Sequence, residues 1–594
     1  MASRRRLLLL LLPFAIAAIP LSLPVGVPDA PPNTGWWDFA GLDAPLEAEF
    51  LSNRTLFLPA NPRGLPAAEV VERQVRFYSQ TWDGQEIRIH GYLYHPLVPG
   101  GGAEGPRSGP GPAGARGLPG VVVAHGFGGK GEDMAPFARD LAQGGYVALA
   151  YSAPGQGNST GPRNNQSNFA RVERGPQDAW LARNIHAARR ALSLLESLPE
   201  VDGSRLAILG GSQGGVTSFL VSALDPRVKA SVPVVASGDW VAAIRSGGAA
   251  NFIAPGRVNA ASPESAVLIS SFDVLGYAPS IRVPTLMLIG TDDEFFPLPG
   301  AVRTFEALGG PKAIDLLPNA GHAGEEDWNL SAYLFLEHHL DGGPRLPAVE
   351  ALVEPLPLGG ARVAATAPGA ESVTLSWRDD LTGSRWQTRD MARSGDRWEG
   401  AVPWGLTDQW AYAGARVQGL QVSSTVPVRV PASPLLQALA AVTVGALIGL
   451  LLRHAGRIRE WANSSPAAAL RVAAGLLFAA ASLLPVLEFS GRTRVTLWQE
   501  LRQFAHLLPP WLPYLALLLV LLVPALALRH RRWAALLAVG GPVLLLGGIA
   551  AVDLLTQGLV LMLPGGGLLL ALGAGLVLWR AKDPPAPHSP SAPA

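Results

Sequence analysis

The sequence predicts an α/β fold built on a mostly parallel sheet, followed by a small all-β unit and a C-terminal bundle of apolar helices. Three observations carry that reading. Short apolar runs alternate with helical stretches over residues 70–345, and shorter alternating runs separated by turn residues fill 348–431. After residue 433 the composition turns abruptly to Leu, Ala, Val and Gly.

In the first region eight strands are expected: Gln74 to Ser79, Glu86 to Tyr94, Gly120 to Ala124, Tyr146 to Tyr151, Arg205 to Leu209, Ala230 to Val235, Thr285 to Ile289 and Ala313 to Leu317. Helical stretches such as Ala179 to Leu198 lie between the later ones, giving β-α-β units with parallel pairing. Open parallel sheets place their ligands at the carboxyl ends of the strands. The Gly/Pro-rich Pro99 to Pro119 reads as a flexible surface insertion. The loop Ala153 to Gly175 is expected to rim the site, and Ser237 to Ser280 to form a small lid.

Outside that region, Arg4-Arg5-Arg6 precede an apolar stretch from Leu7 to about Val27, the pattern of an export signal or retained anchor over residues 1–30. Residues 31–69 read as a linker. Runs such as Ser372 to Trp377, Arg397 to Val402 and Gln409 to Tyr412 predict an antiparallel β-sandwich in 348–431, whose plainest reading is no more than a spacer. Five stretches in 434–580 are long enough to cross a bilayer: Leu435 to Leu452, Ala467 to Leu487, Trp511 to Leu528, Trp533 to Val552 and Leu559 to Leu578. If the chain crosses at each, Arg4 to Arg6, Arg453, Arg457, Arg459, Arg471, Arg529, Arg531, Arg532, Arg580 and Lys582 share one side, and only Arg492, Arg494 and Arg502 lie in loops on the other. The positive-inside rule then puts the α/β and all-β units outside the cytoplasm, with the tail 581–594 inside.

Composition excludes several chemistries. With no cysteine, a thiol nucleophile, a disulfide and a Cys-ligated zinc site are all impossible. No His/Glu spacing of a zinc protease and no phosphate-cradling Gly-rich loop occurs, so no cofactor and no metal is expected. A formal net charge of +1 without a long Lys/Arg run argues against a nucleic-acid partner. Nothing in the residues fixes the oligomeric state.

The motif that carries chemistry is Gly210-Gly211-Ser212-Gln213-Gly214-Gly215, between the apolar run Leu206 to Leu209 and a helical stretch from Val216. A serine on a sharp strand-to-helix turn exposes its hydroxyl, and the next backbone N–H points to where an oxyanion would form. In a chain with 67 glycines the five-residue pattern alone is weak. Its surroundings strengthen it: Val121 to Ala124 runs into His125-Gly126-Phe127-Gly128-Gly129, Val283 to Ile289 ends in Gly290-Thr291-Asp292-Asp293-Glu294, and Ile314 to Leu317 ends in Asn319-Ala320-Gly321-His322. Serine, acid, histidine, each just past an apolar run, is the chain order of one type of hydrolytic triad. The duller reading of most histidines, His186, His338, His339 and His588 among them, is packing or solvation. His125 reads as a brace for its loop. Asp239 and Trp240 fit a helix cap and a core tryptophan as well as a pocket wall.

These motifs and strand positions resemble the α/β-hydrolase superfamily over about residues 70–345, nearest to acetyl xylan esterases and other acyl esterases, with dienelactone hydrolases and prolyl-oligopeptidase-type peptidases as neighbours. The region 348–431 is faintly similar to the β-domain of PhoPQ-activated pathogenicity-related proteins. The superfamily resemblance implies an eight-stranded, mostly parallel sheet with Ser212 as nucleophile, His322 as general base and then acid, and Asp293 as the residue that orients the imidazole. Asp293 is preferred to Asp292 because it stands three residues after Gly290 and four before Pro297. The oxyanion hole would use the backbone N–H groups of Phe127 and Gln213. The expected activity is hydrolysis of an acyl ester of a small molecule, carbohydrate or lipid. A serine peptidase of prolyl-oligopeptidase or X-Pro type is the first alternative, though the short N-terminal region leaves little room for its gating domain. A non-catalytic membrane module that binds or senses is the second.

Overall fold

Two successive runs, Leu118–Ala124 and Val147–Tyr151, are buried along almost their whole length, because the sheet they form is covered on both faces. In the computed structural model, residues 32–37, 40–61, 65–97, 117–169, 171–246, 263–322, 328–380, 384–453, 485–489, 493–496 and 562–564 are described. They fall into two units, Val25–Leu436 and a second made of Met1–Pro24 with Gln437–Ala594.

The strands of the first unit up to residue 345 are β1 (Glu49–Leu58), β2 (Ala68–Trp82), β3 (Gln85–Pro96), β4 (Leu118–Ala124), β5 (Val147–Tyr151), β6 (Val201–Gly211), β7 (Val228–Val234), β8 (Thr285–Gly290) and β9 (Lys312–Leu317). They pair in the order β1-β2-β3-β5-β4-β6-β7-β8-β9. The pairs from β1 to β5 are antiparallel, and those from β5 through β4 to β9 are parallel. The helices are α1 (Ala135–Gln143), α2 (Trp180–Ser197), α3 (Gln213–Leu224), α4 (Trp240–Ser246), α5 (Pro263–Phe272), α6 (Leu298–Ala307) and α7 (Trp328–Leu336). Side-chain alternation along β4 sends Val122 and Ala124 into the core shared with α2 and α3. Val121 and Val123 enter the core shared with α1 and α7. This is an α/β-hydrolase-type fold.

All eight expected strand positions carry strands, and a ninth, β1, lies in the stretch 31–69 read as a linker. It is an edge strand whose residues are exposed or only half buried, so its sequence shows no apolar face. The insertion read as Pro99 to Pro119 already gives way to strand at Leu118; residues 98–116 lie outside the described residues.

Nine further strands follow: β10 (Glu350–Pro355), β11 (Ala361–Thr366), β12 (Ser372–Asp379), β13 (Gln387–Asp390), β14 (Ala392–Ser394), β15 (Arg397–Val402), β16 (Gln409–Val417), β17 (Leu420–Ser424) and β18 (Val428–Val430). One sheet has the order β10-β11-β15-β14. The other, β17-β16-β12-β13 with β18 beside β16, continues the hydrolase sheet, because β17 meets β9 antiparallel at Ser424 and Ile314. Val363, Val373, Leu375, Trp398 and Ala413 form a core of their own.

The whole of the first expected span, Leu435 to Leu452, lies in a 20-residue helix, α8 (Pro434–Arg453), which begins at the end of the first unit and continues in the second. Among the described residues no helix is long and apolar enough to cross a membrane; most side chains in the second half of α8 are outside them. Pro485–Phe489 and Met562–Pro564, which overlap the second and fifth expected spans, are short paired strands. The remainder of those spans, the third and fourth, and the N-terminal segment 1–30 lie outside the described residues.

Candidate active site

Ser212 directly follows β6 and stands at the N-cap position of α3, with φ +56° and ψ −118°. A non-glycine residue pays of order 1–3 kcal/mol for such a conformation. The turn is held by Ser212 N–H donating to the Val234 carbonyl at 2.8 Å and Val216 N–H donating to the Ser212 carbonyl at 3.0 Å. Its flanking glycines have distinct reasons. A Cβ at Gly214 would lie 2.2 Å from the Ala124 carbonyl oxygen, and one at Gly210 would lie 2.4 Å from that of Gly214. Gly211 has open space around it, so crowding explains the motif's glycines only in part.

The structure brings the three expected residues together. His322 Nε2 lies 2.7 Å from Ser212 Oγ, and its Nδ1 lies 3.0 and 3.1 Å from the two Asp293 oxygens. The Asp293 side chain is buried, and Oδ1 also accepts the backbone N–H groups of Phe295 at 2.9 Å and Phe296 at 2.8 Å. These donors fix the carboxylate before it meets the ring. Asp292 points elsewhere, to Arg378 Nη1 at 3.1 Å; burial holds its carboxyl above the usual range, with Arg378 pulling it back down. Chemically, such an arrangement can take a proton from the hydroxyl onto Nε2 while a carboxylate compensates the ring's charge.

Sequence reasoning missed Glu294. Its Oε2 accepts the His322 backbone N–H at 3.1 Å, and burial, then the Asp293 charge, raise its carboxyl above the ordinary value. Position next to the acid was the available signal. Also missed was Asn319, at φ +62° three residues before the imidazole.

The His125–Gly129 loop passes beside the nucleophile, since a Cβ at Gly126 would sit 3.4 Å from that of Ser212. This places Phe127 at the rim of the site, 42 % exposed and in edge contact with Phe169 of the 153–175 loop. Gln213, the first residue of α3, has no intrahelical acceptor for its N–H, and a helix N-terminus favours negative charge. Its buried side chain accepts from Asn164 Nδ2 at 2.9 Å, tying the same loop to the elbow. His125 spans two loops: its Nδ1 lies 2.8 Å from the Gly126 carbonyl, and its Nε2 accepts the Ala153 N–H at 2.9 Å. Burial lowers the pKa of that imidazole below its ordinary value.

A cavity of about 500 Å³ opens at Ser212. Phe127, Met134 and Phe137 line one side, Leu209, Val234 and Val235 the floor, and Phe295 and Phe296 the side of His322. Asp239 and Trp240 do not contribute: Asp239 pairs with Arg303, and the Trp240 indole is buried and donates to the Ser237 carbonyl at 2.9 Å. Among the described residues, none of the 237–280 segment lines the cavity; residues 247–262 lie outside them. Nor does any group of three or more His, Asp or Glu among them form a metal site.

Residues 110–339 match the sequence model of the acetyl xylan esterase family (AXE1). The acetyl esterase Axe7A of Xylanibacter ruminicola is 29% identical over 166 residues, covering 27% of this chain and 37% of that protein. The match thus spans well under half of this relative. Among solved structures, an acetyl xylan esterase from Paenibacillus sp. R4 has 24% identity and a TM-score of 0.38, covering 50% of this chain and 90% of its own. Acetyl xylan esterase 1 from Thermoanaerobacterium sp. JW/SL YS485 has 20% identity, the same coverage and the same TM-score.

Proposed function

We propose that this protein is a serine esterase that cleaves carboxylic acyl esters through an acyl-enzyme. The observation that carries the reading is the chain of contacts from Ser212 Oγ through the His322 ring to Asp293; the match to acetyl xylan esterases supports it. Ser212 Oγ attacks the ester carbonyl as its proton passes to His322 Nε2. The resulting oxyanion is met by the Phe127 and Gln213 N–H groups. Collapse breaks the bond to the leaving alkoxide, which takes the proton from His322. Water then attacks the acyl-Ser212 carbonyl by the same route, releasing the acid and restoring the hydroxyl. A fluorophosphonate probe should label Ser212, and Ser212→Ala should lose p-nitrophenyl ester hydrolysis; a variant that keeps most of its activity would refute the assignment.

We further propose that the enzyme is anchored in the cell membrane with residues 31–433 outside the cytoplasm and the C-terminus inside. Besides the charge asymmetry of the loops, the start of α8 supports this. Leu435, Leu439 and Val442 are exposed on that helix. Ser433, just before it, bonds to the carbonyls of Leu358 and Gly405, in loops that expose Leu356, Leu358, Trp404 and Leu406. Because the chain has no cysteine, Asp396→Cys and Ser591→Cys are clean reporters. An impermeant maleimide should modify the first in intact cells and the second only after lysis; the reverse pattern rejects the orientation.

A further inference from the structure

The cavity at Ser212 is larger and more apolar than an acetyl group requires. On the proposed esterase reading, we infer that the enzyme's preferred substrates are esters of apolar acyl groups of about four to eight carbons, seated in this cavity, rather than acetyl esters. Beyond Ser212 and His322, every side chain lining it among the described residues is hydrocarbon or thioether. Leu209 and Phe296 are each 1% exposed and Val235 3%, so the walls are fixed by packing. A hydroxyl-rich group placed there would leave its hydroxyls unpaired, at roughly tenfold in affinity for each. A sugar ring is therefore a poor occupant, and the alcohol part of the substrate lies towards the open rim at Phe127.

Size points the same way. A water-sized group takes about 30 Å³, so the methyl of an acetyl ester would leave most of about 500 Å³ unfilled. Pockets of this volume hold ligands of drug size. Val235 adds a separate indication. It is β-branched yet has φ +42°, an outlier for such a side chain, and it stands at the end of β7 in the cavity floor. Strain of this kind is retained where the surrounding structure enforces it, commonly at binding sites.

The test is a series of p-nitrophenyl acetate, butyrate, hexanoate and octanoate with the full-length chain, read as kcat/KM. Each added methylene buried in the cavity should raise it about fourfold until the cavity is filled, so hexanoate should exceed acetate. Acetate turnover at least as efficient as hexanoate would overturn the inference. Met134→Trp, which narrows one wall, should lower the hexanoate-to-acetate ratio; an unchanged ratio in the folded variant would also count against it. Should that variant fail to fold, the wild-type series still decides. Fluorophosphonate labelling of Ser212 is run in parallel: labelled enzyme that prefers acetate sinks only the acyl-size inference, whereas an unlabelled Ser212 sinks the esterase reading beneath it.

Discussion

At Asp293 one carboxylate oxygen receives two backbone N–H groups and both oxygens face the imidazole, while the adjacent Asp292 reaches across to Arg378. Replacing the first carboxylate by an amide should leave the fold intact but favour the wrong histidine tautomer, so Asp293→Asn is expected to lower kcat by about 10³–10⁴. Asp292→Asn should cost much less; equal losses in steady-state rates would contradict the division of roles. The preference for Asp293 comes from the superfamily pattern that sets the acid three residues after Gly290 and four before Pro297, and it is Asp293 that lies against the imidazole while Asp292 meets Arg378. Serine and histidine were legible from their order and their place after apolar runs. Glu294 and Asn319 were not, since their roles depend on contacts between loops 28 or more positions apart along the chain, which no local pattern encodes.

Elements carry their own signals in proportion to how one-sided their burial is. The parallel strands are buried on both faces and read plainly as apolar runs, whereas β1 has no buried face and Ser52-Asn53-Arg54 interrupts its pattern. The start of β6 was also hidden, because Asp202-Gly203-Ser204 reads as a turn although it is strand. A polar element junction shows what the hydrolase part does with a buried acid. Asp273, directly after α5, accepts the N–H groups of Asp239, Trp240 and Leu275 at 2.8–2.9 Å, joining the starts of α4 and of the short helix Val274–Tyr277. Burial nonetheless pushes its carboxyl up to about 6, above an unfolded value of about 3.9. Between those values the folded state holds a proton that the unfolded state has released, so this group's contribution to stability falls as pH rises from about 4 to 6. Asp273→Asn sets an amide donor against a backbone donor and should cost about 1–3 kcal/mol. Thermal melts should show the gap between wild type and variant narrowing over that pH range; a widening gap would contradict the sign.

At the scale of the whole first unit, the β-domain is more than a spacer, because it grips both loops that supply the acid and the base. The Trp386 backbone N–H donates to Asn319 Oδ1 at 2.8 Å, and its backbone carbonyl accepts from Asn319 Nδ2 at 2.9 Å. Arg378 stacks over the Trp386 ring and pairs with Asp292. Asn319→Gly keeps the left-handed backbone available but removes both hydrogen bonds, so kcat should fall about tenfold with KM little changed. Asn319→Asp, which still accepts the Trp386 N–H, should retain part of the rate; loss of substrate affinity instead would point away from a positioning role. Apolar patterning sets 70–345 apart from 348–431, yet both lie in one compact unit and share one sheet; that union was not readable, because it rests on a single register pair and a few side chains. Gln421 donates to Asp315 and to the Leu316 carbonyl and accepts from the Ser331 hydroxyl at its own carbonyl, and the Tyr412 hydroxyl donates to the Leu316 carbonyl. A chain severed near residue 345 would therefore not liberate a self-sufficient catalyst. It would bare the flank of Lys312–Leu317 as a template for another molecule's strand and leave Asp315 short of a donor, exchanging an enzyme for a nucleus of aggregation.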